Sequence, residues 1–104
     1  MQIQTNTGRN VEGREELAAA VEAIVEAALE RFSDQITRVE VHISDENSAK
    51  GGENDKRCMM EVRIEGRPPA AVTHQAPTVE EAVTGAAGKL KRSIESTLGK
   101  LGKR

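Results

Sequence analysis

Apolar residues recur at intervals of three and four positions in two separate parts of the chain. This spacing places apolar side chains on one face of an α-helix, so two amphipathic helices are predicted. The first stripe consists of Leu17, Val21, Ile24, Val25, Ala28, Leu29 and Phe32. The second consists of Val79, Val83, Ala86, Ala87, Leu90, Ile94, Thr97, Leu98 and Leu101.

Other stretches alternate apolar with polar residues, which is typical of a strand with one buried face. Residues 38–43 and 58–65 show this alternation most clearly. A shorter strand is predicted at residues 70–75, where Pro77 ends it. Residues 1–7 predict a weak edge strand around Ile3. The polar residues 45–55 predict a long hairpin loop between two of the strands.

The predicted order is therefore β-α-β-β-β-α, an α+β fold in one domain over residues 1–104. Because each helix has one apolar stripe, both helices should pack on one face of a four-stranded sheet. Thr78 and Glu81 have the spacing of a capping box at the start of the second helix. Glycines in that helix suggest close packing against the first helix. We expect six residues to form the centre of the core: Leu29, Phe32, Val41, Val62, Leu90 and Ile94.

Composition limits what the domain can do. Phe32 is the only aromatic residue, so the core must be aliphatic and the chain lacks platforms for stacking bases. Cys58 is the only cysteine and excludes an internal disulfide. No signal peptide or membrane-spanning stretch is evident, which favours a cytoplasmic location.

Motifs for catalysis or metal binding are not apparent in the sequence. His42 and His74 are the only histidines, and with Cys58 they match no metal-ligand spacing. Cys58 is predicted to be a buried, inert thiol on an apolar strand face. His42 is expected on the polar face of the sheet, beside Arg38 and Glu40. We therefore expect no enzyme activity, cofactor, metal or small-molecule substrate.

The charges divide between the two predicted helices. Residues 12–34 contain seven acids and two cations, whereas residues 89–104 contain six cations and one acid, in a chain of net charge −2. A local basic surface of this kind favours contact with a polyanion. The alternative interpretation is that these cations form a solvated face of the helix, since a helix C-terminus favours positive charge. The candidate RNA-binding residues are Lys89, Lys91, Arg92, Lys100 and Lys103 on the second helix, with Arg38, Lys56 and Arg57 as an extension along the sheet.

Several sequence segments together resemble the hibernation-promoting factor and ribosome-associated inhibitor family, in its short form. The first is Thr7-Gly8-Arg9-Asn10-Val11-Glu12 after the first strand. The second is the helix exit Phe32-x-x-x-Ile36-x-x-Val39-x-Val41. The third is Ala82-Val83 followed by Gly88-Lys89-Leu90-Lys91-Arg92-Ser93-Ile94. The order and spacing of these segments carry the resemblance over nearly the whole chain.

The resemblance implies a fold similar to a double-stranded-RNA-binding domain. It also implies binding to ribosomal RNA of the small subunit, near the decoding and tRNA sites, and a block of translation in stressed cells. The family's RNA-facing residues on the second helix correspond to Lys89 and Arg92, with Lys91 and Lys100 as neighbours. Two alternatives stay open: a protein-interaction module that uses the acidic first helix, and, less favoured, an enzyme. The oligomeric state stays open as well.

Overall fold

The computed structural model describes residues 1–8, 14–45 and 55–102, and it confirms the predicted order of elements. Most of the predicted loop, residues 46–54, lies outside the described residues. A short 3-10 turn, Glu30–Phe32, follows the first helix. The elements are β1 (Gln2–Thr7), α1 (Arg14–Leu29), β2 (Ile36–Asp45), β3 (Lys56–Ile64), β4 (Ala70–Ala76) and α2 (Val79–Gly102).

The four strands form one mixed sheet in the order β1-β2-β3-β4. β1 lies at an edge, as predicted, and pairs with β2 in parallel. The β2–β3 and β3–β4 pairs are antiparallel. Parallel neighbouring strands need a crossover connection between them. α1 provides this connection, on the face of the sheet that both helices cover.

A β-bulge near the start of β2 explains an irregularity in the apolar pattern. Ile36 and Val39 are both buried although an odd number of positions separates them. The register shifts between Ile36 and Arg38, so that Thr37 has no opposite residue on β3. The Thr37 hydroxyl donates a hydrogen bond to the carbonyl oxygen of Arg63 at 3.1 Å. The extra residue turns Ile36 toward the core, where strict alternation would point it outward.

Both helices cover the same face of the sheet. α1 packs against β1 and α2, and α2 packs against β3 and β4. The six residues expected at the centre of the core are all buried, which confirms that prediction. Phe32 lies in the 3-10 turn rather than in α1 itself. The guanidinium carbon of Arg31 lies 5.3 Å from the Phe32 ring centroid, so this cation covers the outer side of the ring.

The start of α2 has the predicted cap. The backbone N–H of Glu81 donates to the Thr78 hydroxyl oxygen at 3.1 Å, and that hydroxyl donates to the Glu81 carboxylate at 3.2 Å. Thr78 thereby satisfies one of the free N–H groups of the first helical turn. The cap fixes where α2 begins, and so fixes which residues of the helix face the sheet.

The expected role of the α2 glycines needs a correction. A Cβ atom built on Gly85 would meet the ring of His74 on β4, not a residue of α1. A Cβ on Gly88 would meet only the Arg92 Nη1 atom, at 3.6 Å. Gly85 therefore allows a close approach between α2 and the sheet. The helix-to-helix contact does not depend on either of these glycines.

Phe32→Ala is expected to lower the free energy of unfolding by about 3–5 kcal/mol, because a large buried side chain would leave a cavity. Phe32→Leu keeps most of that volume and should cost about 1–2 kcal/mol. Urea unfolding of the wild type and both variants measures the difference. A loss below about 1 kcal/mol for Phe32→Ala would show that the ring contributes little to the core.

Candidate nucleic-acid interface

Two contacts define the flanks of α2. On one flank, the Lys89 ammonium donates a hydrogen bond to the carbonyl oxygen of Thr73, on β4, at 2.8 Å. On the other, Glu95 lies 3.6 Å from the guanidinium of Arg31, which follows the end of α1. We call the first the β4 flank and the second the α1 flank. Between them, the buried stripe of α2 faces the sheet.

The helical repeat assigns each cation of α2 to one of these flanks. Successive residues advance by about 100° around the axis. Arg92 therefore lies on the outer face of α2, about 60° from Lys89 and about 60° from Glu95, next to the β4 flank. The repeat predicts that Lys100 continues the row of Lys89. Lys91 falls on the α1 flank, one turn before Glu95. Lys89 and Arg92 are exposed, whereas Lys91 is half-buried.

The β4 flank is basic and polar over the stretch whose side chains are described. Gly85, Lys89, Ser93 and Ser96 occupy it, and none of them is acidic. Arg92 borders it on the outer face of the helix. Hydroxyl, ammonium and guanidinium groups are all donors for phosphate oxygens. The Lys100 side chain and the whole of Lys103 lie outside the described residues, so their part in this row stays a prediction.

Lys89 and Arg92 differ in how their side chains are held. Lys89 is exposed to solvent but already bonds to the backbone of Thr73. Arg92 has no ion pair or hydrogen bond within the part of the chain that the structure describes. Its five N–H donors can form two parallel bonds to one phosphate. Of Lys89 and Arg92, Arg92 is therefore the one whose side chain no described contact already holds.

Arg38 lies on the opposite face of the sheet from the helices. Its Nε atom is 3.3 Å from the Glu40 carboxylate, and its Nη2 atom donates to the side chain of Gln4. On β3, the register places Arg63 opposite Arg38 and Glu61 opposite Glu40. Arg63 and Glu61 form a second ion pair along their own strand, at 3.8 Å. Acids beside them thus compensate both arginines, which weakens the attraction of this surface for phosphate.

Arg57 also lies on this open face, next to Ser44 on β2 and Gln75 on β4. Cys58, its neighbour in sequence, points to the helix side and is buried. The predicted extension of the basic surface along the sheet therefore lies on a different face from α2. The RNA-binding role proposed for Arg38 and Arg57 remains a prediction.

Lys56 occupies a third location, at the end of the sheet where β3 begins. Its ammonium is 3.1 Å from the Asp45 carboxylate and 3.4 Å from that of Asp55. The hydrogen bond to Asp45 is the main cause of a raised pKa for Lys56, and the charges of both aspartates add to it. Two carboxylates hold this lysine across the ends of the strands. An RNA phosphate would have to compete with them.

The acidic surface lies on α1 and the 3-10 turn that follows it. Glu22, Glu26 and Glu30 are exposed and follow one another at intervals of four residues, so they form one row. A row of carboxylates repels phosphate and would attract a basic protein surface. The domain therefore presents separate basic and acidic surfaces, as the sequence predicts.

The described residues contain no group of three histidine, cysteine or acidic side chains suited to holding a metal ion. His42 lies on the open face 3.6 Å from the Glu40 carboxylate, in the position expected from the sequence. His74 packs against Gly85 on the helix side of β4. Neither described helix is both long enough and apolar enough to cross a membrane.

Sequence reasoning did not predict the bonding of Lys89 to Thr73 or the packing of His74 on Gly85. Both contacts join β4 to the β4 flank of α2. The available signal was the placement of Gly85 one helical turn before Lys89. A glycine inside a helix costs stability unless its missing side chain makes room for something else.

Comparisons with known proteins agree with this architecture. The family model described as "Sigma 54 modulation protein / S30EA ribosomal protein" matches residues 4–102. This match confirms the resemblance inferred from the sequence. A comparison of the sequence with curated proteins finds no match.

Two solved structures share the fold. The N-terminal domain of Protein Y from Thermus thermophilus is 23% identical, with a TM-score of 0.73 over 93% of this chain and 99% of that one. A ribosomal subunit interface protein from Coxiella burnetii is 16% identical, with a TM-score of 0.69 over 95% of this chain and 99% of that one. The expected likeness to a double-stranded-RNA-binding domain is not tested by these matches and stays a prediction.

We expect the Cys58 thiol to be unreactive in the folded protein. The side chain is fully buried, and burial raises the pKa of the thiol to about 12. Little of the nucleophilic thiolate is therefore present near pH 8. A chromogenic thiol reagent at pH 8, with and without urea, measures this. Labelling of the native protein as fast as the unfolded chain would contradict the prediction.

Proposed function

Since this chain belongs to the Sigma 54 modulation protein / S30EA ribosomal protein family, we propose that it associates with the ribosome and contacts ribosomal RNA through the β4 flank of α2. The family is one of ribosome-associated factors rather than a class of enzymes. The contact itself would be made by Lys89 and Arg92, with Lys100 further along the same row.

The observation that carries this proposal is the exposed guanidinium of Arg92 beside the acid-free β4 flank, without an ion pair or hydrogen bond among the described residues. Lys89 and Lys100 are eleven residues apart, so their row extends about 16 Å along the helix axis at roughly 1.5 Å per residue. That length is enough to follow several phosphates of one strand, which are about 3.4 Å apart along a helix axis. Lys91, on the α1 flank, should contribute less than the sequence alone suggests.

The site and consequence of binding are the finer part of the proposal. We infer contact with the small subunit, where the domain would interfere with translation in stressed cells as a hibernation factor. One of the structures with the same fold is described as a ribosomal subunit interface protein. The surfaces support such a location, because a basic flank can face RNA while the acidic row of α1 faces away from it.

A second candidate function uses the acidic surface. The exposed row of Glu22, Glu26 and Glu30 could dock on a basic protein, including a ribosomal protein, without direct RNA binding. The two functions predict opposite effects of charge reversal on α1. Glu26→Lys should weaken binding if α1 is the interface, and should preserve or strengthen it if α2 contacts RNA.

Arg92→Ala should weaken binding to ribosomes and make it less sensitive to salt. Contact with about three phosphates gives a log-log salt slope near −2 to −3, and losing one contact reduces the slope by about 0.7–0.9. Lys91→Ala is the matched control, because it removes a neighbouring cation from the other flank. Co-sedimentation with purified ribosomes across a salt series measures both quantities.

Arg92→Ala and Lys91→Ala should therefore behave differently. Wild-type affinity and slope in the Lys91 variant, together with losses in the Arg92 variant, would support the proposed surface. Unchanged binding by Arg92→Ala combined with a loss in Glu26→Lys would favour docking through the acidic helix instead.

A further inference from the structure

One residue pair brings α2 unusually close to β4. A Cβ built on Gly85 would lie 2.7 Å from Cγ of His74 and would overlap Cδ2 and Nε2 of the same ring. These ring atoms lie between strand and helix, so an added methyl group would have to displace the ring or the helix. His74 thus occupies a notch in α2 that only glycine leaves open.

Lys89 makes a second contact to the same part of β4. It lies one helical turn after Gly85, and its ammonium bonds to the carbonyl oxygen of Thr73, the residue before His74. Two adjacent residues of the strand therefore hold two residues on one flank of the helix. We call these two contacts together the α2 seat.

The α2 seat restricts the orientation of α2 on the sheet in a way that the apolar core does not. The buried residues of α2 between Ala82 and Leu90 are alanines, one valine and one leucine, which make smooth and non-directional contacts with the sheet. A ring in a notch and a hydrogen bond of defined direction both restrict the rotation and height of the helix. Arg92 lies one turn after Lys89 on the adjoining outer face, so its position relative to the edge of the sheet depends on this restriction.

We propose that His74 and Gly85 form a positioning pair for ribosome binding: by seating α2 on β4, they set the direction in which Arg92 and Lys89 present their charges. This inference rests on the proposed function, because it concerns the same basic flank. Neither His74 nor Gly85 need touch RNA. Their effect would act through the placement of the helix.

Gly85→Ala is the test, with Thr84→Ala as its matched control at the adjacent exposed position. Both changes raise helix propensity, but only the first inserts a methyl group into the His74 ring. We expect Gly85→Ala to lower ribosome affinity by about five-fold or more, as a coupling between contacting residues permits. Thr84→Ala should bind like the wild type and unfold at the same or a higher temperature.

His74→Ala and the double variant Gly85→Ala/His74→Ala complete the cycle. Removing the ring makes room for the methyl group, so the double variant should bind as well as His74→Ala alone. His74→Ala should itself bind more weakly than the wild type, because the notch loses its occupant. These two variants keep the proposal testable if Gly85→Ala does not fold.

The salt slope separates positioning from loss of stability. A destabilised protein has a smaller folded fraction but keeps its slope, whereas a misplaced Arg92 should flatten the slope in the way Arg92→Ala does. Circular dichroism at the binding temperature confirms that each variant is folded. Wild-type affinity and slope in both Gly85→Ala and His74→Ala would overturn the α2 seat. If Arg92→Ala had lowered affinity in the same assay, the proposed function would survive that result.

Discussion

The close approach of α2 to the sheet is the constraint on which the rest of this structure depends. With one aromatic residue in 104, the domain cannot fill a wide gap between its layers. Alanines at buried positions of α2 and a glycine at residue 85 instead allow the helix to lie near β3 and β4. Close contacts between small side chains then stabilise the core in place of large aromatic side chains.

The same approach connects the core to the charged surface. Because the helix lies near the edge of β4, the side chain of Lys89 reaches the backbone of Thr73. The bond also occupies a carbonyl of an edge strand, and a lysine at such a place discourages pairing with another chain. Arg92, one turn later on the outer face of the helix, is left without a partner among the described residues. The packing of α2 thus engages Lys89 in a hydrogen bond within the fold and leaves the side chain of Arg92 available to an anion.

The acids of α1 and the cations of α2 lie on separate surfaces of the domain. Among the described residues, the ion pair that links these two parts is Arg31, just after α1, with Glu95 at 3.6 Å. Elsewhere, Arg38 and Lys56 are compensated by neighbouring carboxylates. Lys89 and Arg92 of α2, by contrast, form no ion pair with a described carboxylate, which favours the approach of a polyanion to this helix.

Much of the fold could be predicted from the sequence, since it depends on periodicity. The apolar stripe through Leu90 and Ile94 and the alternation around Val41 and Val62 identify helix and strand directly. The register shift at Thr37 could not be predicted, because a bulge becomes visible only when two strands are paired.

The candidate site was less predictable than the fold. The row of cations follows from helical spacing, but the commitment of Lys56 to Asp45 and of Lys89 to Thr73 depends on contacts between residues far apart in sequence. Helical geometry alone separates Lys91 from Arg92. It does not reveal which flank borders β4, because that depends on how the layers stack.

Tethered hydroxyl-radical cleavage of ribosomal RNA tests the central claim most directly. Ser96 is exposed on the β4 flank, and Glu26 is exposed on α1. Because the native Cys58 is fully buried, Ser96→Cys or Glu26→Cys would carry the iron chelate selectively. We predict localised cleavage of small-subunit RNA from residue 96 and little or none from residue 26. Strong cleavage from residue 26 with none from residue 96 would contradict RNA binding through α2.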